Sequence, residues 1–195
     1  MKTLFVLTCT LLFSFTLLAQ QQAQGGLKVG EVAPEFTGTD LSGNPLSLKN
    51  LTKEGPVVLI FYRGAWCPYC NKYMSQLQES LPQFTEKGAR VIAITPETME
   101  SAEKAVEKTS ATFTVITDSE RKIMKDYKVL YTVPENVLGA LEGYGINLTE
   151  SNGKNDNVLP VPATYVIGKD GKVKFVHYDE NYKQRASVEE IIANL

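Results

Sequence analysis

Val57-Val58-Leu59-Ile60-Phe61-Tyr62-Arg63-Gly64-Ala65-Trp66-Cys67-Pro68-Tyr69-Cys70 is the stretch on which the fold turns. Val57 to Tyr62 carry only β-branched, apolar or aromatic side chains, the pattern of a central strand covered on both faces. Gly64 permits a turn. Beyond it, Tyr73, Leu77, Leu81 and Phe84 recur at helical spacing, with Met74 adding a second pairing to Leu77. The spacing predicts a helix from Pro68 to about Lys87. Pro68 suits its first turn, where a missing N–H costs nothing, and Gly88 suits its end. Cys67 and Cys70 therefore fall at a helix N-terminus, where orphan N–H groups and the positive dipole end favour a thiolate. In such a setting a thiol pKa can drop from ~8.5 into the range of about 3.5 to 7.5. The expected chemistry is attack by a reactive sulfur on a disulfide or a peroxide.

Composition narrows the alternatives. The chain has 195 residues, a formal charge of -2 and one histidine. That charge gives no electrostatic case for nucleic acid or an anionic membrane surface. One histidine argues against a multi-histidine metal site and leaves few partners for a Cys/His dyad. No cofactor and no metal are expected. Of the three cysteines, Cys9 lies in the apolar N-terminal run, so Cys67 and Cys70 are alone in the remainder. Zinc would want a second pair or nearby histidines. A structural disulfide at this spacing would close a tiny loop and add little stability. Redox function is the expectation that remains.

Lys2, the apolar or small run Thr3–Leu18 and Ala19 form the pattern of a secretory signal over residues 1–19. A polar linker is expected over 20–26 and one domain over 27–195. The expected location is therefore exported, in the periplasm or cell envelope.

Within the domain, an N-terminal hairpin is expected around Ser42-Gly43-Asn44. A strand over 90–95, a helix from Met99 to about Lys108 and a strand over 113–117 follow. Ser119 is expected to cap a helix over about 120–127. These alternations predict βαβ units with parallel pairing. The stretch 131–159 breaks the rhythm: a short helix over 134–142, then a polar excursion expected to cover one side of the site. A strand resumes over 160–168. Asp170-Gly171 turns it into an antiparallel partner over 173–178. A closing helix over 186–195 presents Val188, Ile191, Ile192 and Leu195. The fold class expected is α/β, a thioredoxin-like fold. It has a central mixed sheet flanked by helices, an N-terminal hairpin extension and an insert before the last hairpin.

The order of elements, with Cys-x-x-Cys opening the first long helix, resembles the thioredoxin fold. More closely, the chain resembles the alkyl hydroperoxide reductase/thiol-specific antioxidant (AhpC/TSA) family. The matching blocks are Val29-Gly30-Glu31-x-Ala33-Pro34-x-Phe36, Phe61 to Cys70, Val161 to Ile167 with Asp170-Gly171, and His177-Tyr178-Asp179-x-x-Tyr182. The resemblance implies a peroxiredoxin-like, thioredoxin-dependent peroxidase with an antioxidant role. It would reduce hydrogen peroxide or organic hydroperoxides through a Cys67/Cys70 dithiol–disulfide cycle. The alternative it implies is a thioredoxin-type oxidoreductase acting on disulfides of exported proteins. Its partners would be a peroxide or a protein disulfide, a thioredoxin-like electron donor and, in some arrangements, a second copy of the chain.

The two registers assign the sulfurs oppositely. Peroxiredoxins carry Pro-x-x-x-Thr/Ser-x-x-Cys; aligned on Phe61-Tyr62, the Pro position is Arg63, the Thr position is Cys67 and the attacking position is Cys70. The thioredoxin register makes Cys67 the exposed nucleophile and Cys70 the resolving thiol, and the helix-start position beside Trp66 favours that assignment. Arg63 is expected to stabilise the thiolate and the peroxide's developing charge. Trp66, Pro68 and Pro162 are expected to line the site, with Pro162 in the place of the thioredoxin cis-proline. His177, Tyr182 and Arg185 are weaker candidates, His177 for proton transfer or positioning.

Overall fold

A computed structural model describes residues 25–195; the signal expected over 1–19, Cys9 and most of the linker lie outside these residues. The last linker residue, Gly26, is part of the fold, since its N–H donates to Lys128 O at 3.3 Å.

The hairpin comes first, from β1 (Thr37–Thr39) and β2 (Pro45–Ser47). Asp40 holds its turn by accepting the N–H groups of Ser42 and Asn44. A helix absent from the sequence reading follows, α1 (Leu48–Glu54), with Ser47 as its N-cap. Then come β3 (Val57–Phe61), α2 (Pro68–Glu79), α3 (Leu81–Glu86), β4 (Arg90–Thr95), α4 (Met99–Thr109) and β5 (Thr114–Thr117). The helix expected to run unbroken to Lys87 divides at Ser80. Pro82, in the first turn of α3, has no N–H to continue the ladder.

After β5 comes α5 (Lys122–Asp126). Ser119 does not cap it: Arg121 occupies that position with φ of 61°, and the Asp118 carboxylate takes the Met124 N–H at 2.8 Å. The insert comprises β6 (Leu130–Thr132), α6 (Glu135–Gly143), α7 (Leu148–Asn152) and β7 (Val158–Pro160). It is more ordered than a polar excursion, because β6 and β7 pair antiparallel and Asn147 caps α7. The chain ends in β8 (Ala163–Ile167), β9 (Val173–Tyr178) and α8 (Val188–Ala193), the last opened by a reciprocal Ser187–Glu190 capping box.

The main sheet has the order β5-β4-β3-β8-β9. β3, β4 and β5 run parallel, while β8 and β9 are antiparallel to their neighbours. It is the expected mixed thioredoxin-like sheet with an N-terminal hairpin. β3 is buried at every residue. Its alternation sends Val57, Leu59 and Phe61 to a core with Phe36, Leu51, Met124 and Tyr127. Val58, Ile60 and, one residue past the strand, Tyr62 face the other core with Met74, Leu77 and Ile191. A strand fixed on both faces delivers Arg63 and the thiol turn to one place at the sheet's end. No described helix is long and apolar enough to cross a membrane.

Candidate active site

The site begins where β3 stops. Tyr62 still donates its N–H to Ile94 O, and the chain then turns at Gly64, whose φ is 154°. A Cβ there would lie 2.5 Å from Trp66 Nε1 and 2.7 Å from Glu97 Oε1, so both the backbone angle and the space require glycine. Cys67 N–H closes the turn onto Gly64 O at 3.0 Å. Cys67 is the N-cap of α2, Pro68 is its first residue and Cys70 lies just under one turn further on. Pro68 and Tyr69 are exposed at the helix start, as a docking or lining role needs.

The two Sγ atoms are 2.7 Å apart and share a hydrogen bond. Both thiols are buried: Cys67 is 1 % exposed and Cys70 0 %. The exposure expected of Cys67 is thus not seen. Its helix-start position is overlaid by packing, with Trp66 against a small cluster of Val133, Leu148 and Leu159 from the insert.

The surroundings separate the sulfurs. Burial by itself pushes the Cys70 thiol up. The Cys67 thiol, the Arg185 guanidinium, the Arg63 backbone N–H and the Arg63 guanidinium together bring it down to about 6. Arg185 Nη2 sits 3.5 Å from Cys70 Sγ. Cys67 goes the other way: its hydrogen bond to Cys70, then its burial, raise its pKa far above the usual thiol range. When the pair gives up one proton, the charge settles on Cys70 and the remaining proton stays on Cys67.

Arg63 is 4 % exposed, forms no ion pair with a carboxylate among the described residues, and leaves its Nε without a hydrogen-bond partner. Its guanidinium lies over the Trp66 ring at 4.8 Å and the Tyr182 ring at 4.4 Å. A buried cation without a carboxylate is costly unless another negative charge faces it. The thiolate is that charge.

A cleft of about 790 Å³ opens beside Arg63. Tyr131, Val133, Val137 and Leu138 of the insert line it together with Pro162 and Tyr182; neither sulfur lines it. Insert residues thus line the cleft beside Arg63 and pack against Trp66. Pro162 is buried and lines this cleft, but its peptide bond is trans, as are all those described. The expectation of a cis-proline is corrected: β6–β7 pairing on one side of it and β3–β8 pairing on the other are joined by a trans bond, with Val161 N–H on Val129 O.

His177 is not brought to the sulfurs. It sits on β9 opposite Thr164, half-buried, with Nε2 unpartnered. Burial holds its pKa below the usual value, and the charges that act on it are Asp179, Glu190 and Arg185.

Two residues gain weight from the structure. Arg185 lies 115 positions from Cys70 in sequence, a distance at which no spacing rule operates. Glu97 lies just ahead of the helix expected from Met99 and carries no motif, yet it accepts the Ala65 N–H with both oxygens.

Comparison with known proteins agrees with this geometry. Residues 29–176 match the AhpC/TSA family. The chain belongs to that family. A thiol-disulfide oxidoreductase ResA of Bacillus cereus is 30 % identical over 148 residues, which is 75 % of this chain and 68 % of that protein. The chloroplastic peroxiredoxin Q of Sedum lineare is 28 % identical over 163 residues, 84 % of this chain and 75 % of that protein. Among solved structures, peroxidoxin BcpB from Mycobacterium tuberculosis superposes with a TM-score of 0.67 at 21 % identity, covering 86 % of this chain and 96 % of that one. The thioredoxin domain of a Bacteroides vulgatus thiol-disulfide oxidoreductase gives a TM-score of 0.53 at 23 % identity, covering 80 % and 93 %. This AhpC/TSA chain is a thiol-based redox protein whose relatives include both peroxiredoxins and disulfide oxidoreductases.

Proposed function

We propose that the protein is a thiol peroxidase in which Cys70 attacks and Cys67 resolves. The observation that carries this reading is the burial of both sulfurs beside two guanidinium groups. A protein disulfide must meet its attacking sulfur at the surface. A peroxide is small enough to reach a buried one, and a desolvated thiolate flanked by fixed cations stabilises the charge that develops on the leaving oxygen.

The Cys70 thiolate attacks the distal oxygen of ROOH. The S–O bond forms as the O–O bond breaks, the sulfur is oxidised to sulfenic acid, and RO⁻ leaves and takes up a proton as ROH. Arg63, at the head of the cleft, supports the departing oxygen. Cys67, once deprotonated, attacks Cys70 Sγ; water leaves and a Cys67–Cys70 disulfide forms. An external dithiol protein of thioredoxin type returns the pair to thiols by disulfide exchange and itself becomes the disulfide. The Lys2 to Ala19 pattern supports an exported protein acting in the cell envelope, which requires that donor to be an envelope protein.

The second reading is a disulfide oxidoreductase with Cys67 as nucleophile. Cys67 at the N-cap, with Trp66 before it and Pro68 after it, favours that reading, as does the similarity to ResA. Stopped-flow fluorescence of Trp66, the only tryptophan, separates the two. The peroxidase reading expects hydrogen peroxide to oxidise the reduced protein far faster than it oxidises free cysteine, by about 100-fold or more, the scale of one well-placed electrostatic donor. It also expects peroxide to outpace a protein disulfide. Peroxide no faster than with free cysteine, alongside rapid reaction with the disulfide, would establish the second reading instead.

A further inference from the structure

The carboxylate of Glu97 lies against the thiol turn and takes no part in the thiol chemistry above. It sits between β4 and α4 and is 1 % exposed. Four hydrogen bonds converge on it: Ala65 N–H at 2.9 Å to Oε1 and 3.0 Å to Oε2, Ser151 Oγ at 3.1 Å, and Thr95 Oγ1 at 3.3 Å. The carbonyl of the same residue is held as well. Ala65 O accepts from Asn71 Nδ2 at 2.8 Å and from Lys108 Nζ at 3.2 Å. Ala65 is therefore gripped at both its N–H and its C=O by side chains from separate parts of the fold. It stands midway between Arg63 and Cys67. Ser151 belongs to α7, so the carboxylate also hooks the insert to the turn. Thr98 N–H on Ser151 O at 2.9 Å doubles that link.

We propose that Glu97 is a positioning residue of the thiol site: by holding the Ala65 N–H and the Ser151 hydroxyl at once, it sets Cys67 against Cys70 and locks the insert over them. The proposal rests on the thiols being the reacting groups and not on peroxide being the substrate. The ionised carboxylate takes all three donors, the Ala65 N–H shared between its two oxygens and the Ser151 and Thr95 hydroxyls on one oxygen each. Burial pushes the Glu97 carboxyl up to about 7, against the pull of Ala65 N–H, Ser151 and Thr95. The charged or titratable groups that face it are Cys70 from α2, Tyr62 just past β3, and Lys104 from α4, while Lys108 of α4 donates to Ala65 O. Glu150 of α7 acts on the same Lys104. The Cys70 thiolate and the Glu97 carboxylate repel each other through the turn. Removing the Glu97 charge thus has two effects of opposite appearance: Cys70 ionises more easily, and Cys67 is less well placed to meet it.

Both are read on the full chain without peroxide or partner. Alkylation by iodoacetamide as a function of pH reports the ionisation of the reactive thiol. Oxidation by diamide, followed by Trp66 fluorescence, reports closure of the disulfide. Glu97→Gln is expected to move the alkylation profile to lower pH and to slow closure by about 10- to 100-fold, the scale on which small displacements of reacting groups act. Ser151→Ala, which leaves the Ala65 contacts in place, is expected to slow closure by a smaller factor with little change in the alkylation profile. Should Glu97→Gln fail to fold, Ser151→Ala and Thr95→Val decide, since each removes one donor to the carboxylate; slower closure in both supports the proposal. A folded Glu97→Gln with wild-type closure and an unmoved alkylation profile overturns it, whatever its melting temperature. So does wild-type closure in either single-donor variant. Because neither reagent is a peroxide, a failed peroxidase reading leaves this result interpretable.

Discussion

The thiol turn and the insert above it are built in opposite ways. From Val57 to Cys67 every residue but Trp66 is buried, and the turn is gripped by Glu97, Asn71 and Lys108. In the insert, α6 buries no residue fully, Tyr144 is exposed, and cohesion comes from a small apolar cluster and the β6–β7 ladder. Arg121 ties the insert down from below, pairing with Asp156 and donating to Asn152 O and Pro96 O. Ionisation of a thiol depends on charges held closely in place, so that region is over-determined. Admission of a substrate and access for a reductant need a surface that yields, and α6, the low-burial part of the insert, supplies one. Chemistry and access are thus assigned to different stretches of chain.

Substitutions that act on one region and not the other sharpen this division. Arg63→Met removes the buried guanidinium at the head of the cleft. Peroxide oxidation in stopped flow is expected to slow by about 100-fold or more, the usual consequence of losing one stabilising donor at a developing charge; a near-normal rate would mean that Arg63 only packs. Arg185→Met removes the guanidinium beside Cys70 Sγ. Cys70, now at about 6, loses a cation that favours its charged form, so its pKa rises by about 1 unit or more. The rate limb that rises with pH near 6 moves upward. Activity on the acid side of that limb falls by about tenfold or more, while wild type and variant converge once Cys70 is ionised in each. Parallel loss at every pH would show that Arg185 does not set the ionisation. Leu138→Ser, on the cleft side of α6, should leave the thiol pKa unchanged and cost about 1 kcal/mol or less. It should alter by a small factor the ratio of rates with an alkyl hydroperoxide and hydrogen peroxide. A shifted thiol pKa in that variant would break the division.

Much of the thiol turn is legible in sequence because its determinants are local. An unbroken apolar strand, one glycine and Cys-x-x-Cys before a helical periodicity specify β3, the turn and α2 without reference to the rest of the chain. What the sequence hides is long-range. Arg185 reaches Cys70 only because the tail after β9 folds back across the sheet, and Glu97 reaches Ala65 only because β4 lies parallel to β3. The break at Ser80 is signalled by Pro82 but masked by Leu81 and Phe84, which continue the apolar period across it. The burial of Cys67 escapes a sequence reading because the insert that packs on Trp66 lies far along the chain. Pro162 falls beside the cleft as its sequence context indicates, yet its trans bond goes with strand pairing on either side, which a single sequence does not display.

The central claim is that Cys70, set between Arg63 and Arg185, is the sulfur that meets peroxide. Mass spectrometry of single-turnover reactions tests it most directly: Cys67→Ser and Cys70→Ser, each reduced, mixed with one equivalent of hydrogen peroxide and trapped with a sulfenic-acid reagent. The account predicts rapid formation of one sulfenic adduct on Cys70 in Cys67→Ser, where the serine hydroxyl can still donate to the thiolate, and no adduct above the free-thiol rate in Cys70→Ser. Rapid adduct formation on Cys67 in Cys70→Ser, with Cys67→Ser inert, would contradict it and place the attacking sulfur at the helix N-cap.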